Sequence, residues 1–318
     1  MSKNKKRSTL SYTSADSLPL KLLYNTEIQE FKPVHIQWLP TNRCNLNCPS
    51  CSCKQRNKSL EMKLSTALDV IENFAEMGTK AVTITGGGEP LMHPYIVEMI
   101  KAFARNNIKI GLVTNGLRLK YIPRDVLELL TWCRISSMDD RSFSMGYAID
   151  LAEVVNAKID WAFSHVVTPN PNFETIKSVV EFANRHGFTH VRLVADLLTP
   201  DQVDSKFTSI RQHLKGLDEK VIYQPRNKPE SCHSCMIGYI KPLVAADFKM
   251  YLCCGVQYAL KEKSLDLPEE LSMGTALGLD KIYNNIEPQK TACVACYYTQ
   301  YNHILSSMFD GLDHKEFV

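Results

Sequence analysis

The chain has 318 residues, 44% of them hydrophobic and 22% charged, with 37 basic against 34 acidic side chains and a net charge of +3. That length suits one large domain or a large and a small one, and the balance is that of an ordinary soluble globular protein. That charge balance argues neither for nor against a polyanionic partner. No apolar stretch reaches transmembrane length and Met1 to Leu20 lacks the apolar core of a signal peptide, so no membrane partner and a cytoplasmic location are expected. Eleven cysteines in a reducing compartment point to metal binding or catalysis rather than disulfides.

Residues 1–33 read as an N-terminal extension. Lys3, Lys5, Lys6 and Arg7 form a short basic run before Ser/Thr-rich sequence. Four charges make a solvated tail and only a weak nucleic-acid footprint. From Val34 onward, strand-like and helix-like segments alternate. The predicted strands are 34–39, 80–85, 109–114, 133–137, 158–167 and 189–195. The predicted helices are 65–77, 94–106, 123–131, 145–156 and 172–186. This alternation predicts a parallel sheet with helices outside it. Six units are too few for a full eight-fold barrel. In such sheets the chemistry gathers beyond the carboxyl ends of the strands, and every motif found here follows a strand.

The first strand leads into Cys44, Cys48 and Cys51, spaced C-x3-C-x2-C. Three thiolates within eight residues can converge on one centre. A structural zinc takes four ligands in a closed shell, whereas an iron–sulfur cube is normally held by cysteine thiolates, and three of them leave one iron open. The second strand runs into Thr85-Gly86-Gly87-Gly88-Glu89-Pro90, where three glycines allow a tight turn and a close backbone approach. The third strand ends in Thr114-Asn115-Gly116, which turn chemistry alone explains. The fourth ends in Ser136-Ser137-Met138-Asp139-Asp140, where the aspartates also suit a turn or helix start. Trp161 and His165 lie on the fifth strand, and a lone strand histidine is more often a satisfied core residue than a ligand. Arg192 lies on the sixth.

Together, C-x3-C-x2-C and the glycine motif about 35 residues later resemble the radical S-adenosylmethionine (SAM) superfamily. The resemblance covers roughly residues 34–200 and implies an open partial (β/α)6 barrel. It implies a 4Fe–4S cluster on Cys44, Cys48 and Cys51 whose open iron binds SAM. Reductive cleavage of SAM then gives methionine and a 5′-deoxyadenosyl radical, which takes a hydrogen atom from the substrate. It further implies that Gly87, Gly88 and Glu89 hold the SAM amino group, that Asn115 lies near the ribose, and that Ser137 and Asp139 contact SAM or substrate. Arg192 could pair with the SAM carboxylate, since a guanidinium fork matches a carboxylate; a structural ion pair is the alternative. The residue before the third motif cysteine is often aromatic in the family; here it is Ser50. Cys53, two residues past the motif, has no assigned role, and Cys133 reads as core. The resemblance also implies a reducing partner such as flavodoxin or ferredoxin.

Residues 201–230 read as a connector with one helix near 202–215. Residues 231–318 carry a second group of thiols: Cys232 and Cys235, the adjacent pair Cys253 and Cys254, and Cys293 and Cys296. Two C-x2-C pairs alone could make a zinc ribbon. A strand pair ending in cysteine followed by C-x2-C resembles instead the SPASM/Twitch extension of radical SAM enzymes, and the shorter Twitch form with one auxiliary 4Fe–4S cluster fits better. The ligands it implies are Cys235, Cys253, Cys293 and Cys296, with Cys232 able to replace Cys235. The family hairpin often has glycine five residues before the second ligand; here Phe248 stands there. Cys254 is then a packed thiol or, as in radical SAM epimerases, a hydrogen-atom donor. The expected substrate is a small-molecule natural product or a peptide. Epimerisation or dehydrogenation is the favoured outcome, with peptide crosslinking or nucleic-acid base modification as alternatives. About 40 residues precede the first cluster motif, which tilts the expectation toward a small molecule or a partner-delivered peptide. A non-enzymatic zinc module binding nucleic acid explains the C-x2-C pairs but not the glycine motif.

Overall fold

The computed structural model describes residues 21, 31–49, 51–138, 145–155, 159–196, 199–225, 230–257, 266–296 and 298–310. Six βα units come first: β1 His35–Trp38, α1 Leu64–Glu76, β2 Ala81–Ile84, α2 Ile96–Arg105, β3 Lys109–Thr114, α3 Arg124–Leu127, β4 Trp132–Met138, α4 Met145–Val154, β5 Asp160–Val167, α5 Phe173–Arg185, β6 His190–Ala195 and α6 Pro200–His213. Strands β1 to β6 pair in chain order, all parallel. The segment expected as a connector holds α6 and then a further strand, β7 Val221–Gln224, parallel to β6. The helix predicted over 123–131 shrinks to one turn, because the chain must rise by Thr131, whose N–H bonds Ile110 O at 2.7 Å.

Strand alternation sorts the side chains. Ile36, Trp38, Val82, Ile84, Ile110, Leu112, Cys133, Ile135, Phe163 and Leu193 are buried on the helix-facing side. They meet Ala67, Val70, Ile71 and Phe74 of α1 and Ile96, Met99, Ile100 and Phe103 of α2, which are the i, i+3, i+4, i+7 rows of an amphipathic helix. Trp38 meets Phe103 edge-on at 5.5 Å, and Phe163 stacks on Phe188 at 4.6 Å. The opposite, inner face carries His35, Gln37, Thr83, Arg134, Ser136, Ser164, Arg192 and Gln224, all from positions two residues apart along their strands.

The rest of the chain is built onto the same sheet. After β8 Glu230–Cys235 and α7 Ile237–Ile240, β9 Leu243–Val244 runs parallel to β1, with Gln37 N–H donating to Pro242 O and Leu39 N–H to Val244 O, both 2.9 Å. β10 Lys249–Tyr251 and β11 Ser272–Thr275 follow antiparallel, giving the ten-strand order β11-β10-β9-β1-β2-β3-β4-β5-β6-β7. The β9–β10 hairpin closes with Phe248 N–H on Ala245 O at 2.9 Å and Ala245 N–H on Lys249 O at 3.0 Å. Phe248 takes φ +62°, the left-handed place that a hairpin of this kind usually gives to glycine. Asp247 supports the turn by accepting from Lys249 N–H (3.0 Å) and Tyr251 Oη (3.1 Å). Last come α8 Leu279–Tyr283, β12 Gln289–Cys296 and α9 Thr299–Asp310, with β12 antiparallel to β8 in a separate two-strand sheet. No helix among the described residues is long and apolar enough to cross a membrane.

Candidate active site

The cysteine loop leaves β1 and is anchored on both sides. Arg43 N–H donates to Thr41 Oγ1 at 3.0 Å, and the Arg43 guanidinium reaches Glu61 at 2.8 Å and Met92 O at 2.9 Å. Leu46 N–H points at the Cys44 thiol (3.4 Å), and Cys51 N–H bonds Cys48 O (3.2 Å). The three motif thiols are half-buried. Burial raises Cys44 above its ordinary value, and the neighbouring Glu89, Cys51 and Cys48 raise it further. Three sulfur donors on one loop whose charged forms repel one another fit an iron–sulfur centre, because a bound cation reverses that repulsion and deprotonates the thiols that ligate it. The family's cluster would be held by these three side chains. Cys53 sits against the same group: its side-chain hydrogen bond with Cys51 raises Cys51 and lowers Cys53.

The glycine motif is packed onto this loop. Gly88 N–H donates to Thr41 O (3.1 Å) and Glu89 N–H to Arg43 O (2.7 Å). A Cβ at Gly88 would stand 2.1 Å from Arg43 O, and one at Gly87 would stand 2.0 Å from Asn42 Oδ1. Gly88 is therefore required by the approach of the cysteine loop's backbone, and Gly87 by the Asn42 side chain beside it. Glu89 is buried, and its carboxylate accepts from Thr114 Oγ1 (2.6 Å), Asn115 N–H (2.7 Å) and Leu91 N–H (3.1 Å). Asn115 Nδ2 then donates to Asn45 Oδ1 in the cysteine loop at 2.7 Å. One network thus ties the loops after β1, β2 and β3 together. In this geometry Glu89 pins the three loops together.

The strand-end residues are sorted by parity. Ser137 shares the helix-facing side with Ile135 and Cys133, and its hydroxyl lies 3.1 Å from His165 Nδ1, itself fully buried. The reason is parity: β4 continues unbroken to Met138, so Ser136 and Met138 take the inward places. Asp139 lies outside the described residues. Arg192 does face inward, with Nη2 and Nε donating to Ser164 Oγ at 2.9 and 3.2 Å.

The second thiol group gathers where β8, β10 and β12 meet. Burial pushes Cys235 up to about 12, with Cys232 and Cys296 adding to it. Cys253 is held well above its ordinary value by burial, then by Cys254, Cys235 and Cys296. Cys293 stands opposite Cys232 in the β12–β8 ladder. Cys232 and Cys235 are both buried here, so the local structure offers either as a donor. Asn302 of α9 secures the group: its Oδ1 accepts from Met236 N–H (2.8 Å) and Ile237 N–H (3.3 Å), and its Nδ2 points at Cys232 (3.5 Å). Cys254 Sγ lies 3.7 Å from Tyr298 Oη, which lies 3.5 Å from the buried Lys241 Nζ. Lys241 also helps keep His35 neutral: burial first, then Lys241 and Lys21, hold this histidine well below its ordinary value. Among the described residues no three His, Cys, Asp or Glu side chains converge on a single-ion site. A groove of about 520 Å³ beside α8, lined by Tyr239, Met273, Leu277 and Ile282, carries no cysteine. Asn302, Lys241, Tyr298 and Arg56 had no signal in the sequence, since none belongs to a motif.

With this geometry in place, the comparison with known proteins is direct. The profile of the radical SAM superfamily matches residues 38–208, more than half of the chain, and the chain belongs to that family. Among curated relatives, the PqqA peptide cyclase of Gluconobacter oxydans is 37% identical over 90 residues, which are 28% of this chain and 25% of that protein. A GTP 3′,8-cyclase of Pasteurella multocida is 34% identical over 129 residues, 38% of this chain and 37% of that one. The chain thus spans about a quarter to a third of the length of these relatives. Among solved structures, Streptococcus suis SuiB bound to S-adenosylmethionine superposes with TM-score 0.57 at 15% identity, over 89% of this chain and 72% of that one. The enzyme anSMEcpe with bound AdoMet and the Cp18Cys peptide gives TM-score 0.56 at 14% identity, over 89% and 85%. The fold is therefore the radical SAM partial barrel. The family implies a 4Fe–4S cluster and SAM.

Proposed function

We propose that this protein is a radical SAM enzyme that modifies a peptide by hydrogen-atom abstraction. The observation that carries the reading is the family match over residues 38–208, with Cys44, Cys48 and Cys51 on one half-buried loop. Peptide is preferred over a free small molecule because a curated relative is a peptide cyclase and a structural neighbour is bound to a peptide.

When bound, the cluster and SAM supply the radical chemistry. The chain's own residues do the rest. Cys44, Cys48 and Cys51 hold the cluster. Gly88 brings its backbone against the cysteine loop, Gly87 sits against the Asn42 side chain, Glu89 fixes that loop to β3, and Asn115 is set at the junction. Arg192, held by Ser164, presents a guanidinium on the inner face for a carboxylate. Asp139, which follows β4 in the sequence, is proposed to contact SAM or substrate, whereas Ser137 packs beside His165 on the helix-facing side. In the C-terminal unit, Cys235 or Cys232 with Cys253, Cys293 and Cys296 forms a Twitch-like auxiliary cluster site. Cys254 is then the hydrogen-atom donor of an epimerisation: its S–H bond breaks, a C–H bond forms on the peptide radical, and the sulfur radical regains one electron and one proton. The electron comes from a one-electron donor of the flavodoxin or ferredoxin class. If Cys254 is only packed, the substrate radical would lose a proton to solvent and one electron to the auxiliary cluster, giving dehydrogenation.

The test is anaerobic reconstitution, reduction and incubation with SAM. Formation of 5′-deoxyadenosine that Cys48→Ala abolishes is expected; its absence from the wild-type protein overturns the reading. With a peptide substrate in D2O, solvent deuterium in the product that Cys254→Ala eliminates marks epimerisation. Normal product from Cys254→Ala at the normal rate removes that role.

A further inference from the structure

Arg56 lies five residues beyond Cys51 and belongs to no motif. Its side chain is 3% exposed. Its Nε and Nη2 are buried with no hydrogen-bond partner, and among the described residues it makes no ion pair. A guanidinium always carries its charge and five donors, and burying it uncompensated is costly. The position demands an anion.

The surroundings say which one. Arg56 N–H bonds Cys53 O at 3.2 Å, so the residue closes the turn that follows the cysteine motif. Its Nη1 lies 3.1 Å from where a Cβ on Gly87 would stand. Its positive charge favours the charged forms of Cys51 and Cys53. Asp247 and Asp266 line a small cavity with it, yet neither reaches it as an ion-pair partner. The anion that fits is the thiolate-ligated cluster itself, one of whose ligands, Cys51, feels the Arg56 charge, as does its neighbour Cys53.

We propose that Arg56 is the buried counter-charge of the iron–sulfur centre held by Cys44, Cys48 and Cys51, and that it sets how readily that centre takes an electron. This rests on the cluster assignment made above. A cation beside the centre stabilises the reduced form, which carries one more negative charge, and so raises the reduction potential. Arg56 is a positioning residue in this sense: it acts through the cluster and touches no substrate.

The experiment is a potentiometric titration, followed by electron paramagnetic resonance, of anaerobically reconstituted wild type, Arg56→Met and Arg56→Lys, without SAM. Arg56→Met is expected to lower the ratio of reduced to oxidised cluster at a fixed poise at least tenfold, which is about 59 mV for a one-electron couple. Arg56→Lys, which keeps the charge, is expected to restore most of it. Thermal unfolding of the cluster-free proteins is the control for folding: Arg56→Met removes an unpaired buried charge and is expected to be no less stable than wild type. An unchanged potential in Arg56→Met at full iron content overturns the proposal. So does an unchanged potential with weakened SAM binding, which assigns the guanidinium to the SAM carboxylate. If Arg56→Met folds but retains no iron, rescue of iron by Arg56→Lys supports the proposal and failure of rescue contradicts it. A wild type that binds no iron fails the cluster assignment instead, and its iron and sulfide content reports that separately.

Discussion

Replacing Glu89 by glutamine changes one oxygen to an amide nitrogen at nearly constant volume. The carboxylate accepts three hydrogen bonds, two of them from backbone N–H groups, at 2.7 Å from Asn115 and 3.1 Å from Leu91. The third comes from Thr114 Oγ1 at 2.6 Å. Whichever way the amide turns, its NH2 faces a backbone donor and leaves that donor without an acceptor. A buried donor left so costs about 1–3 kcal/mol, and the charge-assisted bond it replaces was itself worth about 1.5–3. A net loss of about 2–4 kcal/mol is expected. At roughly 2–4 °C per kcal/mol for domains of 150–250 residues, the unfolding temperature should fall by about 5–10 °C. The assay is thermal unfolding of the cluster-free protein, where no cofactor contributes. Thr114→Val removes only the 2.6 Å bond and is expected to cost less, and the double variant should be non-additive because the two residues share one network. An unchanged unfolding temperature in Glu89→Gln, with SAM binding lost, would refute the reasoning, because it would mean that the carboxylate serves the cofactor and not the loops.

Three further outcomes are expected. Gly88→Ala places a Cβ 2.1 Å from a main-chain oxygen, Arg43 O; the cysteine loop must move, and iron retention after reconstitution should drop well below wild type. Asn302→Leu orphans Met236 N–H and Ile237 N–H, and should destabilise by about 2–4 kcal/mol in chemical unfolding, at one to two buried donors lost. His35 is kept neutral in the fold, its value held well below 6.5 by burial and by Lys241 and Lys21. The unfolded chain therefore binds the proton first, so the contribution of His35 is full above pH 6.5 and is lost as pH falls below it. Unfolding temperatures should decline between pH 7 and pH 5, and His35→Gln should flatten part of that decline; an equal slope in the variant would contradict the assignment.

The βα alternation was legible because each strand is a short run of β-branched and aromatic residues between turn signals, and because the helices carry regular apolar rows. The predicted 109–114 coincides with β3 as found. What local pattern could not show was long-range pairing. Nothing in Leu243 and Val244 says that they lie beside β1, yet that pairing brings Lys241 and the Cys253–Cys254 pair to the barrel. The side that Ser137 takes was not legible either, because one further residue, Met138, prolongs β4 and fixes the parity. Phe248 occupies a left-handed turn position where the resembled hairpin usually has glycine, at a cost of about 1–2 kcal/mol, and Asp247 holds the turn from both sides. Arg56 and Asn302 are single polar residues whose importance lies in what surrounds them, and a linear sequence does not display that.

The central claim is that Cys44, Cys48 and Cys51 hold a cluster with one iron open to SAM. Electron paramagnetic resonance of the reduced, reconstituted protein tests it most directly, with and without SAM. A 4Fe–4S signal component that Cys48→Ala removes and that changes on adding SAM, while the component of the C-terminal thiol group stays, is the predicted result. A signal that SAM leaves unaltered, or reconstituted protein with no such signal at all, would contradict the account.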